Sequence, residues 1–304
     1  RRHSQLATTE VIVQFKRQRL QIAPYLFLLP NLAIFVIFII VPAIYNFYLS
    51  LFRTSPFHPP EFVGADNFIY LAQQDDFFWR AMQNIVVFVL GDVTFIVVLS
   101  VLIGVLLNQN IRGRGFFRSA FFYPVLLSPV VVALVWQWFL NNQFGALNTA
   151  LQAMGLPRTP WLLRADWAMF WAIFVHVWAT LGFFSLIILA GLQSIPPILY
   201  DAAIVDGANR WRTFRYITLP LLVPTLMTVL ILSMIRSFEV FDHVYVLTGG
   251  GPGTATLMVV QYIYRAAFQL DQFGLAAAAS LVLFIVIFAL TVLQYLMGRF
   301  GEAI

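Results

Sequence analysis

Long apolar segments alternate with short polar ones along the whole chain. About 20 apolar residues in a helix are enough to cross the hydrocarbon core of a membrane. Six segments meet that requirement, at about residues 24–50, 82–108, 117–140, 167–191, 217–238 and 273–298. The pattern predicts an all-α membrane protein with six transmembrane helices in one domain, residues 21–300, which follows a polar N-terminal arm at residues 1–20.

The distribution of basic residues predicts the orientation of these spans. Lys and Arg are enriched in cytoplasmic loops. Of the 18 basic residues, five lie in the arm, three near 112–118 and three near 210–215, and Arg299 follows the last span. Five others lie in the alternate polar segments: Arg53, Arg80, Arg158, Arg164 and Arg265. This asymmetry predicts that the N and C termini are both cytoplasmic.

Composition narrows the possible functions. Hydrophobic residues make up 61% of the chain and charged residues only 10%, which excludes an ordinary soluble domain. There is no cysteine, so disulfides and thiolate chemistry are excluded. The single lysine, Lys16, lies in the arm, and the chain therefore has no phosphate-binding Walker sequence. Because the basic residues flank spans and form no block, we expect no nucleic-acid partner.

The polar loop 194–220, between the fourth and fifth spans, has the signals of two short helices joined by a break. Ser194 is predicted to cap the first helix. Gly207 is predicted to end it in a left-handed conformation, and Asn209 to cap the second helix. Ala203 lies one turn before Gly207, and we expect this face of small residues to let another surface come close.

This loop resembles the EAA loop of the membrane subunits of binding-protein-dependent ABC importers, in particular the carbohydrate permeases of the maltose, lactose and glycerol-phosphate group. That family usually has Glu where this chain has Asp201. Weaker similarities include the sequence GRGFFRSAFFYP before the third span and VYVLTGGGP after the fifth. The matching loop residues are Asp201, Ala202, Ala203, Asp206, Gly207 and Ala208, followed by Trp211, Phe214, Ile217, Leu219 and Pro220.

The resemblance implies a type I importer permease fold whose first loop helix is a coupling helix held in a cleft of an ATPase subunit. Asp201 and the face formed by Ala203 and Gly207 would dock there, while Asp206 and Gly207 fix the turn. Bulky groups at Gly207 or Ala203 would then abolish transport by preventing docking. Three arginines, Arg210, Arg212 and Arg215, would hold the second helix at the cytoplasmic interface.

The same resemblance implies the partners. These are a second, different permease subunit in a heterodimer, two ATPase subunits that carry ATP and Mg²⁺, an extracytoplasmic solute-binding protein, and membrane lipid. This chain itself would have no catalytic residue, metal or cofactor. It would conduct a carbohydrate or sugar-like solute across the cell membrane of a prokaryote as a multi-pass subunit.

Four charged residues are predicted to lie at membrane depth: Asp92, Arg236, Glu239 and Asp242. Such residues are unfavourable in lipid and often line a solute path. On a continuous helix Arg236 and Glu239 could instead form an ion pair that locks helix packing, with Asp242 continuing the stripe. Asp92 lies deeper, and we expect its partner to be a cation or a hydroxyl on another span.

Other interpretations stay open from the sequence. A proton-coupled secondary carrier could use Asp92, Glu239 and Asp242 as a relay. The solute could also be glycerol phosphate or another polar molecule. An intramembrane enzyme would need a nucleophile and base or metal ligands at depth, and the sequence offers neither. Two histidines, His176 and His243, are expected to be hydrogen-bonded within the bundle.

Five aromatic side chains could stack on a sugar ring, although membrane interfaces also attract Trp and Tyr. These are Trp136, Trp138, Trp171, Trp178 and Tyr245.

Overall fold

A computed structural model describes residues 22–55, 58–109 and 112–302 of the chain. The predicted arm at 1–20 lies outside these residues. The chain divides into two compact units, residues 1–46 and 47–304. The described part of the first unit is helical throughout. It comprises α1 (Ile22–Phe35), a π-helical turn (Val36–Ile40) and the start of α2 (Val41–Ser50).

The second unit begins with an antiparallel hairpin that the all-α prediction missed. Its strands are β1 (Phe52–Ser55) and β2 (His58–Phe62), with Phe52 opposite Phe62. Pro59 and Pro60 both lie in β2. The proline ring fixes φ and removes the amide hydrogen, which suits an edge strand and not a helix interior.

The remainder of the second unit is helical, and its long helices carry the apolar segments. Across the described residues of both units, five helical segments are long and apolar enough to cross a membrane: Leu26–Ser50, Asp76–Asn108, Ala165–Ser194, Arg210–Phe238 and Phe273–Gly298. The helices are α3 (Asp66–Gln73), α4 (Asp76–Asn108), α5 (Arg114–Phe122), α6 (Pro129–Phe139), α7 (Ala146–Ala153), α8 (Ala165–Ser194), α9 (Pro197–Val205), α10 (Arg210–Thr213), α11 (Leu219–Phe238), α12 (Asp242–Thr248), α13 (Val259–Phe268) and α14 (Phe273–Glu302).

The third predicted span, 117–140, is not one straight helix. The segments Arg114–Leu126 and Pro129–Phe139 meet at 98°, and together they supply a sixth candidate crossing. Ser128 has a ψ of 134°, outside the helical range, and precedes Pro129, the first residue of α6. A residue before proline is sterically disfavoured in the α conformation, which explains the break.

Helices α4, α8 and α11 form the centre of the second unit. Small residues let them approach closely, as is typical of membrane helices. A Cβ atom on Gly104 of α4 would lie 2.6 Å from Ile188 Cγ2 of α8, and one on Gly191 would lie 2.4 Å from Thr225 Oγ1 of α11. Phe88 and Phe184 are fully buried in this core. The three helices are therefore packed too tightly to slide without rearrangement.

Helix α13 lies between the fifth and sixth predicted spans, in the segment 257–272. Tyr262 on its buried face donates a 2.5 Å hydrogen bond to Asp75 Oδ2, and Asp75 also caps α4 by accepting from Phe78 N. Burial, together with this hydrogen bond, raises the pKa of the Tyr262 phenol well above its usual range. Tyr262 therefore stays a donor and anchors α13 to the start of α4.

Candidate functional site

The loop 194–220 folds as α9 and α10 joined at a fixed turn. Gly207 adopts the left-handed conformation with φ +72°. Its N–H donates to Ile204 O at 3.0 Å, and the N–H of Ala208 donates to Ala203 O at 2.9 Å. This pair of bonds defines a Schellman motif, in which Asp206 is the C-cap residue after Val205, the last residue of α9. The predicted helix stop at Gly207 is confirmed.

The predicted caps have different outcomes. Asn209 Oδ1 accepts from Arg212 N at 2.9 Å and caps α10, as predicted. The prediction for Ser194 is wrong. Ser194 is the last residue of α8 and donates back to Gly191 O, and Pro196 occupies the cap position of α9. The break falls at Ile195 because a residue before proline avoids the α conformation.

The exposed side of α9 differs from the predicted docking face. Ala203 is only 4% exposed and packs within its own chain, so it does not contribute to an open surface with Gly207. The opposite side of the helix is open. We define the α9 face as Ile198, Asp201, Ala202 and Val205, all of which are exposed and spaced at one helical turn. Ile198 is 71% and Val205 87% exposed.

Tyr200 of α9 contacts the turn that leads into the next long helix. Tyr200 OH lies 3.3 Å from Thr218 Oγ1, in the π-helical turn (Phe214–Thr218) that leads into α11. A cavity of about 440 Å³ separates α9 and α10 from the end of α4, where Val105 and Asn108 line it. Displacement of α9 would therefore act first on the beginning of α11.

Asp92 is completely buried, with 0% of its surface exposed, and it joins the three central helices. Its Oδ1 lies 2.7 Å from His176 Nδ1 of α8, and its Oδ2 accepts a 2.5 Å hydrogen bond from Ser237 Oγ of α11. The expected partner, a cation or hydroxyl on another span, is confirmed. Asp92 lies between the three central helices. It does not line the cleft described next, but its partner His176 does.

The other three predicted path residues line one cleft. Arg236, Glu239 and Asp242 border a cavity of about 310 Å³ beside the break between α6 and the 3-10 turn (Tyr123–Leu126), and His176 lies in its wall. All three charged side chains are exposed.

The alternative interpretation of this group, an ion pair between Arg236 and Glu239, is absent from the described residues. Helix α11 ends at Phe238, so Glu239 and Asp242 do not continue a helical stripe. Within the described residues the arginine–carboxylate ion pairs are Arg53–Glu61 and Arg164–Asp166, so Arg236 has no carboxylate partner there. Its guanidinium instead lies 4.4 Å from the ring centroid of Phe183. The cation and the two carboxylates are left facing the cleft.

A second histidine lies beside the first. The rings of His176 and His243 are 5.3 Å apart, edge to face. Nε2 of His243 is buried without a hydrogen-bond partner in the part of the chain that the structure describes, so the expected bond is missing at that atom. Sequence spacing gave no sign of this pair, because α12 brings His243 back against α8 from a distant part of the chain.

The aromatic candidates separate into packed and exposed groups. Trp136 contacts Trp171 and Trp178 at ring distances of 5.9 Å and 5.6 Å, which makes these three a packing cluster between α6 and α8. Tyr245 stacks on Phe241 at 5.0 Å. Trp138 remains exposed.

A family model now decides the class of the chain. The model for the binding-protein-dependent transport system inner membrane component matches residues 96–300. The chain belongs to this family. The match spans α9, α10 and the turn between them, which we call the α9–α10 elbow. It also spans the cleft residues of α11 and α12.

Individual relatives of this permease agree with the family assignment. The trehalose/maltose transport system permease protein MalF of Thermococcus litoralis is 35% identical over 277 residues, which cover 91% of this chain and 93% of that protein. Among solved structures, a bacterial ABC transporter involved in the import of the acidic polysaccharide alginate matches with a TM-score of 0.82 and 29% identity, over 91% of this chain and 95% of that one.

The alginate transporter solved in complex with an alginate pentasaccharide-bound periplasmic protein matches this permease with a TM-score of 0.81 and 29% identity, over 91% of this chain and 94% of that one. The chain is thus a membrane subunit of an ABC importer with the type I permease fold. This assignment excludes the proton-coupled carrier and the intramembrane enzyme.

Proposed function

We propose that this permease conducts a carbohydrate, delivered by an extracytoplasmic binding protein, through a path that it forms with a second, different permease subunit. Two observations outside the chain support the solute class. A similar permease is named for trehalose and maltose, and a similar structure belongs to an importer of alginate. The donors and acceptors that line the cleft of this chain also support a carbohydrate solute.

Sugar hydroxyls both donate and accept hydrogen bonds, and the cleft offers groups of both kinds. Arg236 can only donate, whereas the carboxylates of Glu239 and Asp242 can accept. One positive and two negative side chains at the same opening disfavour a permanently anionic solute such as glycerol phosphate. Asp92 holds the His176 ring by its Nδ1 atom and so fixes the orientation of that ring at the cleft wall.

Coupling to ATP hydrolysis is proposed to occur through the α9 face. The observation that carries this proposal is a short, capped helix between two long apolar spans that exposes Ile198 and Val205 to solvent. Large exposed aliphatic groups beside polar residues mark a protein-binding surface. Two ATPase subunits, which bind ATP and Mg²⁺, would hold this helix and its counterpart in the second permease.

This arrangement requires the α9 end of the bundle and both termini to be cytoplasmic, in the inner membrane of a prokaryote. Closure of the ATPase pair would displace α9. The contact between Tyr200 and Thr218 would carry that displacement to the start of α11, whose other end holds Ser237 and Arg236. Such coupling requires the ATPase and the solute to favour different states of the bundle.

Solute uptake by cells that lack and then regain this permease tests the proposal. Uptake of one carbohydrate from a panel of sugars, amino acids and peptides should be lost and then restored. Arg236→Gln should raise the half-saturation concentration for that sugar roughly tenfold, because a charge-assisted hydrogen bond is lost. Arg112→Gln, which changes an exposed arginine that does not line the cleft, is the control. Loss of amino-acid uptake in the deletion strain would refute the carbohydrate assignment.

A further inference from the structure

Two arginines on α5 converge on a single neutral group. Arg114 and Arg118 lie one helical turn apart. When the Gln193 carboxamide is oriented with its oxygen towards them, that oxygen accepts from Arg114 Nη2 at 2.8 Å and from Arg118 Nη2 at 2.9 Å. Gln193 lies near the end of α8, two residues before the break that leads into α9.

The charge of this pair is not balanced by the described residues. Neither arginine is within ion-pair distance of a carboxylate there, and Nε of each is buried without a hydrogen-bond partner. Like charges one turn apart repel each other. Arg114 is also the first residue of α5, where the helix dipole already disfavours a cation. The cluster would therefore be stabilised by an anion.

The surroundings of the pair indicate where that anion comes from. Phe116 and Phe117, between the two arginines, are both exposed, Phe116 at 73%. Helix α5 belongs to the bent pair that is apolar enough to lie in a membrane. Arginines beside exposed aromatic rings at the end of an apolar span are typical of the boundary between lipid headgroups and hydrocarbon.

We propose that Arg114 and Arg118 form a binding site for the phosphate of an anionic phospholipid, with its acyl chains beside Phe116 and Phe117. The two guanidinium groups provide paired donors that match phosphate geometry. Because Gln193 joins them to the end of α8, the bound lipid would steady the helix end from which α9 projects. The proposal does not depend on the identity of the transported solute.

Native mass spectrometry of the assembled importer, purified in a neutral detergent with phosphatidylglycerol or phosphatidylcholine added, tests this site. Phosphatidylglycerol should remain bound in preference to phosphatidylcholine. The double variant Arg114→Gln/Arg118→Gln should retain roughly tenfold less of it, and Arg114→Lys/Arg118→Lys should fall between the two because lysine lacks the paired donors. Arg112→Gln, which changes an exposed arginine of the same turn, should retain as much as the parent protein.

Three outcomes would overturn the proposal. Equal retention by the double glutamine variant would show that the lipid binds elsewhere. An equal loss in Arg112→Gln would show a general effect of charge. Unchanged lipid retention, combined with loss of a partner subunit from the double variant, would show that a carboxylate of another protein neutralises the pair. Displacement of the lipid by millimolar inorganic phosphate would support the proposal, because it would show that the arginines bind the phosphate of the lipid.

Discussion

At the scale of single residues, Asp92 shows how a carboxyl group is held inside a membrane bundle. Both of its oxygens have partners on other helices, His176 and Ser237, and none of its surface is exposed. The sequence predicts a partner for Asp92, because an isolated charge at this depth would be strongly unfavourable. It could not identify His176, since the choice depends on how α4 and α8 align.

Substitution of Asp92 separates a packing role from proton transfer. Asp92→Leu leaves His176 Nδ1 buried without its partner, at about 1–3 kcal/mol for the unsatisfied group, and should lower the unfolding temperature of the purified importer. Ser237 can still donate to Ser233 O. Asp92→Asn keeps the shape and can still bond to both neighbours. It should keep most of the stability and the ATP-driven uptake. Loss of uptake in Asp92→Asn at an unchanged unfolding temperature would show that the ionised group itself is required.

At the scale of elements, the α9–α10 elbow was predictable where backbone rules decide the structure. Gly207 and Asn209 have the predicted roles because helix ends have few low-energy solutions. The position of Ser194 depends on competition with two prolines, and the burial of Ala203 depends on which side of α9 meets the bundle. Neither is a local property of the sequence, so the predicted docking face includes Ala203, which the structure buries.

The backbone conformation of Gly207 gives a prediction that does not depend on the size of the substituted side chain. A Cβ atom at Gly207 would meet nothing within 4 Å, but the residue has φ +72°. A side chain in this conformation costs about 1–2 kcal/mol, and Asn tolerates it best. Gly207→Val should therefore weaken ATPase binding by roughly five- to thirty-fold, whereas Gly207→Asn should bind nearly as the parent does. Equal losses in both variants, measured by titrating the ATPase onto the permease, would indicate a steric cause.

At the scale of the whole molecule, the apolar segments predict the long helices because a membrane requires each span to satisfy its own backbone. The structure differs from the predicted straight helices where prolines and tertiary packing change the backbone. Pro129 breaks the third segment into two arms at 98°, and the prolines of β2 accompany a hairpin beside the spans. The bend in turn creates the wall of the cleft that Arg236, Glu239 and Asp242 line. Sequence reasoning found these three residues but not their arrangement.

The central claim is that the α9 face holds the ATPase, and co-purification from mild detergent tests it most directly. Val205→Asp places a charge on the most exposed apolar side chain of the α9 face, and it should reduce the retained ATPase by roughly thirtyfold, as expected for a buried interface anchor. Met154→Asp changes a side chain that is also strongly exposed, at 74%, at the end of α7, and should retain the ATPase fully. Full retention by Val205→Asp, or an equal loss from both variants, would contradict the claim.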